Sequence, residues 1–406
     1  MNQLQQIAFC GGGSGGHLFP AIAIAQELLD ANPDIRFLFV TSDRAIDHQI
    51  VAASGLPPES FEQMILPLRS SAGRVSFALK TVRAAFQCRR RFQQVPPNIV
   101  VGLGGFASIA GVVAGWGNRV PIVLLEQNTI PGRANQWLRR LAVRTFTGWP
   151  LESKWQDRWQ TEVVEVGVPL RRSFRGDEVG TQSQSDTSSE ASCLLVLGGS
   201  QGAVRLNSIV LDALTNGNSH GAGRPLQVVH QTGSGDVDRV QQAYARAGIP
   251  ADVCAFIDDM PRRLASATLV ISRSGAVALA EIAASGKASV LFPLPGSADQ
   301  HQLRNAECLE SSGAAVVIAE TDSNASLLLS QQLDRLLTCK NQLSGAGADS
   351  EDMPKVSSDA AGTTVTAGVP RVAMETAARG MAPENAAAVI AESLLCLTAA
   401  SAGSSE

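Results

Sequence analysis

Short apolar runs alternate with segments of helical periodicity along both halves of the chain. Each run is short enough to be a buried strand, and apolar residues at spacings of three and four follow it, as in a helix packed on a sheet. This alternation predicts βαβ units, an α/β fold class and two doubly wound parallel sheets. The predicted strands are Ile7–Cys10, Ile35–Thr41, Ile99–Leu103, Ile122–Leu125, Arg144–Thr147 and Val163–Val166, then Leu194–Leu197, Gln227–His230, Val253–Ile257, Leu269–Ser272, Ser289–Pro293 and Ala314–Ile318.

Two polar stretches interrupt this rhythm. Residues 174–192 contain almost no large apolar side chains and predict a linker. Residues 341–372 are rich in Gly, Ala, Ser and Thr and predict a low-complexity insertion. We therefore expect a Rossmann-like domain at 1–173, a second one at 193–340, and C-terminal helices with a tail at 373–406.

Composition narrows the function classes. The chain has 406 residues, which suits two domains, and a net charge of −4 gives no bulk attraction to nucleic acid, so no nucleic-acid partner is expected. Its seven cysteines form no CxxC pair, which favours reduced thiols in a cytosolic protein over a disulfide framework or a zinc site. Residues 1–6 lack the features of a signal peptide, and no apolar run reaches the ~18 residues of a membrane span.

The first predicted strand runs directly into a glycine-rich turn. Residues 11–17 read Gly-Gly-Gly-Ser-Gly-Gly-His, and helical periodicity begins at Leu18. A strand, a glycine turn and a helix aim free backbone N–H groups at an anion, at the positive end of the helix dipole. His17 lies where the turn becomes helix, so its imidazole is a candidate general base.

The same turn also satisfies the dinucleotide-binding pattern. Gly11, Gly13 and Gly16 give Gly-x-Gly-x-x-Gly, and Asp43 follows the next apolar run. A NAD-dependent oxidoreductase is therefore an alternative at this point.

A second glycine turn opens the second half of the chain. Gly198–Gly202 follows a predicted strand, and the Ser200 hydroxyl adds a donor to the backbone N–H groups at a helix start. Two such units predict two facing domains, with ligands in a cleft at the carboxyl ends of both sheets.

Polar residues follow other predicted strands. Glu126-Gln127-Asn128 supplies a carboxylate and two amides that can read sugar hydroxyls. Arg171 follows a Gly-x-Pro turn and can bind a diphosphate bidentately, with the neighbouring Arg172 as the alternative contact.

The segment Ser272-Arg-Ser-Gly-Ala-Val-Ala-Leu-Ala-Glu281 predicts another helix start. Glu281 lies two turns beyond Ser274 on one helix face, where its carboxylate can accept both hydroxyls of a ribose. Asp236-Val-Asp238 and Asp258-Asp259 could suggest a metal. However, no His or third carboxylate is spaced to complete such a site, so no metal is expected.

A basic stretch without Asp or Glu lies between Gln63 and Pro97. Val75, Leu79, Val82 and Phe86 share one helical face in it, which is typical of docking on an anionic bilayer. In the alternative, this face packs on the sheet and the cations are solvated. The seven cations are Arg69, Arg74, Lys80, Arg83, Arg89, Arg90 and Arg91.

Taken in order, these motifs resemble those of the MurG family of glycosyltransferases. The matching family segments are GGTGGH at 12–17 with Ser14 in place of Thr, EQN at 126–128, GNPVR at 167–171, GGSQGA at 198–203, HQSG at 230–233, FIDDM at 256–260 and SRSGALTVSE at 272–281. The segment 299–306 resembles the family's DHQxxNA, with one residue inserted between Asp299 and His301.

The resemblance implies a GT-B fold, in which the first Rossmann-like domain takes the acceptor and the second holds most of the UDP-sugar. It implies an inverting transfer of N-acetylglucosamine (GlcNAc) from UDP-GlcNAc to the 4-hydroxyl of the muramoyl unit of lipid I, which gives lipid II in peptidoglycan synthesis. No cofactor is implied. The implied partners are the two substrates, an anionic membrane surface at the cytoplasmic face of the cell membrane, and other cell-wall synthesis proteins.

The resemblance also implies site residues. His17 and Glu126 are the catalytic candidates. Ile257 would present its backbone to uracil, and Gln302, with His301 as the alternative, would read the sugar 3- and 4-hydroxyls. The implied substrate contacts are Ser14, Gly15, Gly16, Asn128, Arg171, Ser200, Ile257, Ala276, Val277, Glu281 and Gln302.

Two rival functions share parts of this pattern. A UDP-GlcNAc 2-epimerase-like enzyme of the same architecture needs no lipid acceptor, so the basic stretch and the Glu126–Asn128 segment argue against it. A NAD-dependent oxidoreductase leaves Ser200 and Glu281 unexplained.

Overall fold

The computed structural model describes residues 5–13, 15–67, 74–159, 161–174, 192–199, 202–216, 225–338, 369–382 and 384–403. The predicted linker at 174–192 lies outside these residues except for its two ends. The predicted insertion at 341–372 lies outside them except for 369–372.

The chain folds into two compact units. The first contains the residues up to Arg172 and a C-terminal segment that follows Ala382, and the second contains the described residues from Ser173 to Ala382. The segment 373–406, predicted as one terminal stretch, is therefore divided between the two units.

The first unit contains a parallel sheet of seven strands in the order β3-β2-β1-β4-β5-β6-β7. Its elements are β1 (Gln6–Gly11), α1 (Gly15–Ala31), β2 (Arg36–Ser42), α2 (Ala45–Ala52), β3 (Phe61–Leu66), α3 (Arg74–Gln94), β4 (Ile99–Gly104), α4 (Gly105–Gly117), β5 (Ile122–Glu126), α5 (Arg133–Leu138), β6 (Arg144–Thr147), α6 (Ser153–Gln156) and β7 (Glu162–Glu165).

The second unit contains a parallel sheet of six strands in the order β10-β9-β8-β11-β12-β13. Its strands and helices are β8 (Ser192–Leu197), α7 (Val204–Asn216), β9 (Leu226–Gln231), α8 (Val237–Ala247), β10 (Ala251–Cys254), α9 (Met260–Ser266), β11 (Leu269–Ser272), α10 (Ala276–Ala284), β12 (Ser289–Leu291), α11 (His301–Ser311), β13 (Ala315–Val317), α12 (Ala325–Thr338) and α13 (Arg371–Gly380). The last helix, α14 (Ala386–Gly403), belongs to the first unit.

Central strands are buried on both faces, which explains their continuous apolar sequences. Every residue of β1 is buried, and Phe9 stacks on Phe39 of the neighbouring strand β2 with ring centroids 5.5 Å apart. On one face of the sheet, α1 and α14 join the core, the latter through Ile390 and Leu394. The C-terminal helix thus completes the hydrophobic core of the first unit.

Helix α4 packs directly on the sheet because glycines face it. A Cβ at Gly111 would lie 2.3 Å from the Cys10 sulfur, and one at Gly115 would lie 2.7 Å from Val100 Cγ2. Close packing of this kind brings the N-terminus of α4 beside the glycine turn that follows β1.

The prediction of two doubly wound parallel sheets is confirmed, and each predicted strand is present with slightly different ends. Strand β3 was missed because it is an edge strand whose polar Glu62 and Gln63 interrupt the apolar pattern. Within the described residues, none of the helices has the length and apolar character needed to span a bilayer.

Candidate active-site residues in each unit

The first glycine turn is held by a buried carboxylate from α2. The N–H of Gly13 donates to both Asp47 oxygens at 2.8 and 2.9 Å, and the Ser42 hydroxyl donates to the same carboxylate at 2.5 Å. Gly12 has φ +154°, and a Cβ there would lie 2.4 Å from Asp47 Oδ2. Arg44 holds the other side of the turn, donating to the Gly13 carbonyl at 2.8 Å. One N–H of the predicted anion site is therefore used internally.

His17 lies in the first turn of α1, against the glycine pair Gly104–Gly105 at the end of β4. A Cβ at Gly104, where φ is +94°, would lie 2.9 Å from His17 Nε2, and one at Gly105 would lie 2.8 Å from the Gly12 carbonyl oxygen. Desolvation lowers the pKa of His17 to about 4, and the Asp47 charge opposes this change. The imidazole is therefore neutral at pH 7, as a general base requires.

The other predicted contacts of this turn lie at the start of α1. Gly15 and Gly16 are its first two residues, so their N–H groups belong to the helix terminus. Ser14 lies outside the described residues. The glycine pair Gly104–Gly105 was not predicted as part of the site, although a Gly-x-Gly-Gly sequence at the end of β4 could have indicated it.

Glu126 is buried at the end of β5, and both of its carboxylate oxygens accept hydrogen bonds from its own loop. One oxygen accepts from the backbone and side-chain nitrogens of Asn128, both at 3.0 Å. The other accepts from Gly132 N at 2.8 Å and Asn135 Nδ2 at 2.9 Å. Burial raises the pKa of Glu126, and these donors oppose it. A catalytic role for Glu126 stays a prediction, whereas its organisation of the Asn128 loop is visible.

Asn135 is a polar residue of this region that sequence reasoning missed. It is 2 % exposed, and its Nδ2 also donates to the Leu125 carbonyl at 2.8 Å. Its Oδ1 has no hydrogen-bond partner among the described residues. Asn135 belongs to α5 rather than to a strand end, so the pattern of polar residues after strands does not indicate it.

The two candidate diphosphate arginines have different surroundings. Arg172 binds α1, through Glu27 at 3.2 Å, the Gln26 carbonyl at 3.1 Å and the Asp30 carboxylate. Arg171 instead places its guanidinium carbon 4.4 Å from the centroid of the Phe19 ring. The choice between Arg171 and Arg172 as the diphosphate contact stays a prediction.

Helix α3 exposes the apolar face predicted to dock on a membrane. Leu79, Val82 and Phe86 are 67 %, 54 % and 61 % exposed. The helix packs on its own unit through a different stripe, formed by Ala84, Cys88 and Phe92. Arg69 lies outside the described residues, as do the side chains of Arg74 and Val75.

In the second unit, the glycine turn after β8 lies against the turn after β9. Gly202 has φ +79°, and a Cβ there would lie 2.7 Å from the Thr232 carbonyl oxygen; one at Gly198 would lie 2.9 Å from that of Gln231. Ser200, the predicted phosphate contact of this turn, lies outside the described residues.

A buried network of polar side chains packs beneath the turns that follow β8 and β9. His230 contacts Tyr244 Oη at 2.9 Å and Asn207 Oδ1 at 3.1 Å, and Asn207 Nδ2 donates to Asp236 at 2.7 Å. Desolvation lowers the pKa of His230 to about 3. Arg239 donates to the Asp236 carboxylate at the start of α8. Within the described part of the chain, no three His, Cys, Asp or Glu side chains are grouped as metal ligands.

The segment between β11 and α10 has the predicted arrangement of a helix start. Ala276 and Val277 are the first residues of α10, and Glu281, five residues after Ala276, is 9 % exposed. Ser274, which was not among the predicted contacts, is fully buried, and its hydroxyl has no hydrogen-bond partner among the described residues. Ile257 follows β10 and is 5 % exposed.

A buried ion pair fixes this segment. Arg273 donates to the two oxygens of Glu320 at 2.7 and 2.8 Å and to the Phe292 carbonyl at 3.2 Å. The two side chains are 12 % and 2 % exposed. The loop that precedes α10 is therefore tied to the end of β12 and to the residues after β13.

The inserted residue before α11 adopts a left-handed backbone. Asp299 and Gln300 have φ values of 53° and 57°, and α11 begins at His301. Gln302 Oε1 accepts from the Leu294 N–H at 3.0 Å, which orients its side chain. Asn305 donates to the Ser274 carbonyl at 3.3 Å and so links α11 to the start of α10. The choice between Gln302 and His301 as the sugar contact stays a prediction.

Comparison with known proteins gives consistent matches across both units. Residues 7–147 match the glycosyltransferase family 28 N-terminal domain, and residues 193–359 match the C-terminal domain. The chain is 37 % identical over 326 residues to the UDP-N-acetylglucosamine--N-acetylmuramyl-(pentapeptide) pyrophosphoryl-undecaprenol N-acetylglucosamine transferase of Anaeromyxobacter dehalogenans strain 2CP-C, covering 80 % of this chain and 83 % of the relative. It is 34 % identical over 346 residues to the protein of that name in Coxiella burnetii strain RSA 331, covering 82 % and 92 %.

The crystal structure of Acinetobacter baumannii MurG superposes with a TM-score of 0.68 at 25 % identity, covering 96 % of this chain and 99 % of the other. The chain belongs to the MurG family. The predicted family, the GT-B fold and the glycosyltransferase class are therefore confirmed.

The MurG-family fold is shared more widely. UDP-GlcNAc 2-epimerase from Neisseria meningitidis, solved with UDP-GlcNAc, superposes with a TM-score of 0.61 at 11 % identity. At that identity the likeness concerns the fold alone, and it does not transfer the epimerase activity to this MurG-family chain.

Proposed function

We propose that the chain is a hexosyltransferase that moves GlcNAc from UDP-GlcNAc to the 4-hydroxyl of the muramoyl unit of lipid I, with inversion, and so forms lipid II. The observation that carries this proposal is the similarity, across both units, to transferases whose names state these substrates. The candidate site residues add the physical means for each part of the reaction.

The second unit supplies the groups that suit a UDP-sugar. The helix starts at Val204 and at Ala276–Val277 present N–H groups, which favour a diphosphate. Glu281 accepts the ribose hydroxyls, and the buried Ile257 presents its backbone to the uracil. Gln302, oriented by the Leu294 N–H, reads the sugar hydroxyls.

The first unit supplies the base. Neutral His17 takes the proton of the acceptor 4-hydroxyl as that oxygen attacks the anomeric carbon. The bond from the anomeric carbon to the phosphate oxygen breaks, and UDP leaves with the electron pair. Helix termini and the Arg171 guanidinium stabilise the charge that develops on UDP. Glu126 acts by fixing the loop that presents Asn128 to the acceptor.

The exposed face of α3 supports a peripheral position on an anionic membrane surface, at the cytoplasmic face of the cell membrane. The apolar side chains of this face are more than half exposed, and the cations beside them are also exposed. Such a face adds apolar insertion to attraction by anionic lipids. Its exposed members are Leu79, Val82 and Phe86 with Arg83, Arg89 and Arg90. Contacts with other cell-wall synthesis proteins stay a prediction.

The decisive experiment is a transfer assay with a lipid I analogue and UDP-GlcNAc labelled in the sugar, with and without EDTA. We expect a disaccharide product with a new β linkage, and no product from UDP-GalNAc. If the labelled sugar stays attached to UDP and is converted to its 2-epimer, the result would instead support the epimerase alternative. Binding of NADH, measured by calorimetry, would support the oxidoreductase.

A further inference from the structure

Asp47 is a buried acid that the transfer mechanism above does not use. It lies in the first turn of α2 and is fully buried. Its carboxylate accepts hydrogen bonds from the Gly13 N–H, the Ser42 N–H at 3.2 Å and the Ser42 hydroxyl. All of these donors are neutral, and no Lys or Arg in the described part of the chain forms an ion pair with it. Burying a carboxyl group without a counter-ion is costly, so Asp47 is a candidate for a functional role.

The first consequence of Asp47 is geometric. The peptide groups around Gly13 are held from both sides, because Asp47 of α2 accepts from its N–H and Arg44, just before α2, donates to its carbonyl. The absence of a side chain at Gly12 leaves room for the Asp47 carboxylate, since a Cβ there would clash with it. The chain leaves this turn directly into α1, so the position of His17 depends on how firmly the turn is held.

The second consequence is electrostatic. Charged side chains around the turn come from several elements. Arg44, just before α2, donates to the Gly13 carbonyl, Asp47 lies on α2, and Arg171 packs on Phe19 of α1. Glu126 on β5 accepts from Asn135 of α5, and α4 carries no titratable side chain. The Asp47 charge acts on His17 and favours the imidazolium form. A base that takes a proton in the transition state is helped by an anion that stabilises the cation being formed.

We propose that Asp47 is a positioning residue for His17, which holds the glycine turn in place and stabilises the imidazolium formed when His17 takes the acceptor proton. The proton goes from the 4-hydroxyl to His17. This inference rests on the proposed function, because it needs His17 to act as the base.

The test compares Asp47→Asn with Asp47→Glu and with the control Arg44→Gln. Asn keeps an acceptor for Gly13 but removes the charge, Glu keeps the charge, and Arg44→Gln loosens the turn without removing the anion. Steady-state rates with the lipid I analogue give kcat and the KM for UDP-GlcNAc. An NMR titration of the five histidines, with His17→Ala assigning one signal, gives the His17 midpoint.

We expect Asp47→Asn to lower kcat by about 10-fold to 100-fold, the size of effect that a displaced catalytic group produces. The KM for UDP-GlcNAc should stay within about 2-fold, because the contacts proposed for the uracil, the ribose and the transferred sugar lie in the second unit. The His17 midpoint, about 4 in the unchanged protein, should move to lower pH in Asp47→Asn and stay in place in Arg44→Gln. Asp47→Glu should recover most of the lost kcat.

An unchanged His17 midpoint or an unchanged kcat in Asp47→Asn would overturn the proposal. If that variant does not fold, Ser42→Ala replaces it. This change removes one hydrogen-bond donor to the Asp47 carboxylate, so its charge should act more strongly on His17 and the His17 midpoint should rise. A midpoint that stays or falls counts against the proposal. Failure of the unchanged protein to transfer GlcNAc would refute the proposed function instead, and the NMR titration is independent of that result.

Discussion

The guanidinium carbon of Arg171 lies 4.4 Å from the centroid of the Phe19 ring. Phe19 is two residues beyond His17 on α1, so this cation–π contact fixes an arginine to the helix that carries the candidate base. The neighbouring Arg172 reaches the carboxylates of Glu27 and Asp30 further along the same helix. These adjacent arginines therefore make different contacts with α1: Arg171 packs on the Phe19 ring, and Arg172 pairs with Glu27 and Asp30.

The first prediction separates these arginines. Arg171→Ala should lower kcat/KM by about 10-fold to 100-fold, because hydrogen bonds to charged groups are worth about 1.5–3 kcal/mol. Arg172→Ala should change kcat/KM little and cost at most about 1 kcal/mol of unfolding free energy, since its ion pairs are partly exposed. Kinetics and thermal unfolding of both variants measure this. A larger kinetic loss in Arg172→Ala would reverse the assignment.

The second prediction concerns His17 and pH. Because its pKa is lowered to about 4, His17 is neutral and active above that value and becomes protonated only as the pH falls through it. We expect kcat/KM to show no loss attributable to His17 between pH 5.5 and 8, values well above that pKa. His17→Ala should lose about 10²–10⁴ in kcat. Calorimetry should find UDP-GlcNAc binding retained in this variant, and full turnover in it would exclude the base role.

The third prediction concerns the ribose contact. Glu281→Gln keeps the shape of the side chain but removes its charge, so KM for UDP-GlcNAc should rise by about 10-fold, from the loss of charge-assisted hydrogen bonds. The KM for the lipid I analogue should change little, because Glu281 belongs to the second unit. Equal affinities for UDP in the variant and the unchanged protein, measured by calorimetry, would argue against this contact.

The fourth prediction concerns the α3 face. Replacing Leu79, Val82 and Phe86 together by Ser should reduce binding to anionic vesicles at low salt, because the apolar part of the contact is lost. The rate with a water-soluble acceptor should be retained. Leu327→Ser is the matched control, since Leu327 is 58 % exposed but lies in the second unit. Vesicle sedimentation measures the binding of the triple variant and of the control. The unchanged protein should be released from the vesicles at high salt.

The fifth prediction concerns the Arg273–Glu320 pair. Glu320→Ala leaves a buried guanidinium without its partner and should cost about 3–5 kcal/mol of unfolding free energy. The start of α10 should loosen as well, raising KM for UDP-GlcNAc. Denaturant unfolding measures the first effect. The double variant Arg273→Met, Glu320→Leu should recover most of the stability, and if it is as unstable as Glu320→Ala, the uncompensated charge is not the cause.

The sequence predicted the sheets well because central strands of a doubly wound fold are buried on both faces and stay apolar along their length. It failed at β3, an edge strand with polar residues such as Glu62. It also could not assign α14 to the first unit. The contacts of Ile390 and Leu394 with the core there join residues far apart along the chain.

For the candidate site, the sequence determined which polar residues and glycine turns follow the strands, because parallel strands all end at one edge of their sheet. Only the tertiary structure decided which of these groups are already used inside the protein. Gly13 is bound by Asp47, 34 residues away, and Arg172 by Glu27, 145 residues away. Such pairs depend on where helices pack, and that packing is set by the whole core rather than by any local pattern.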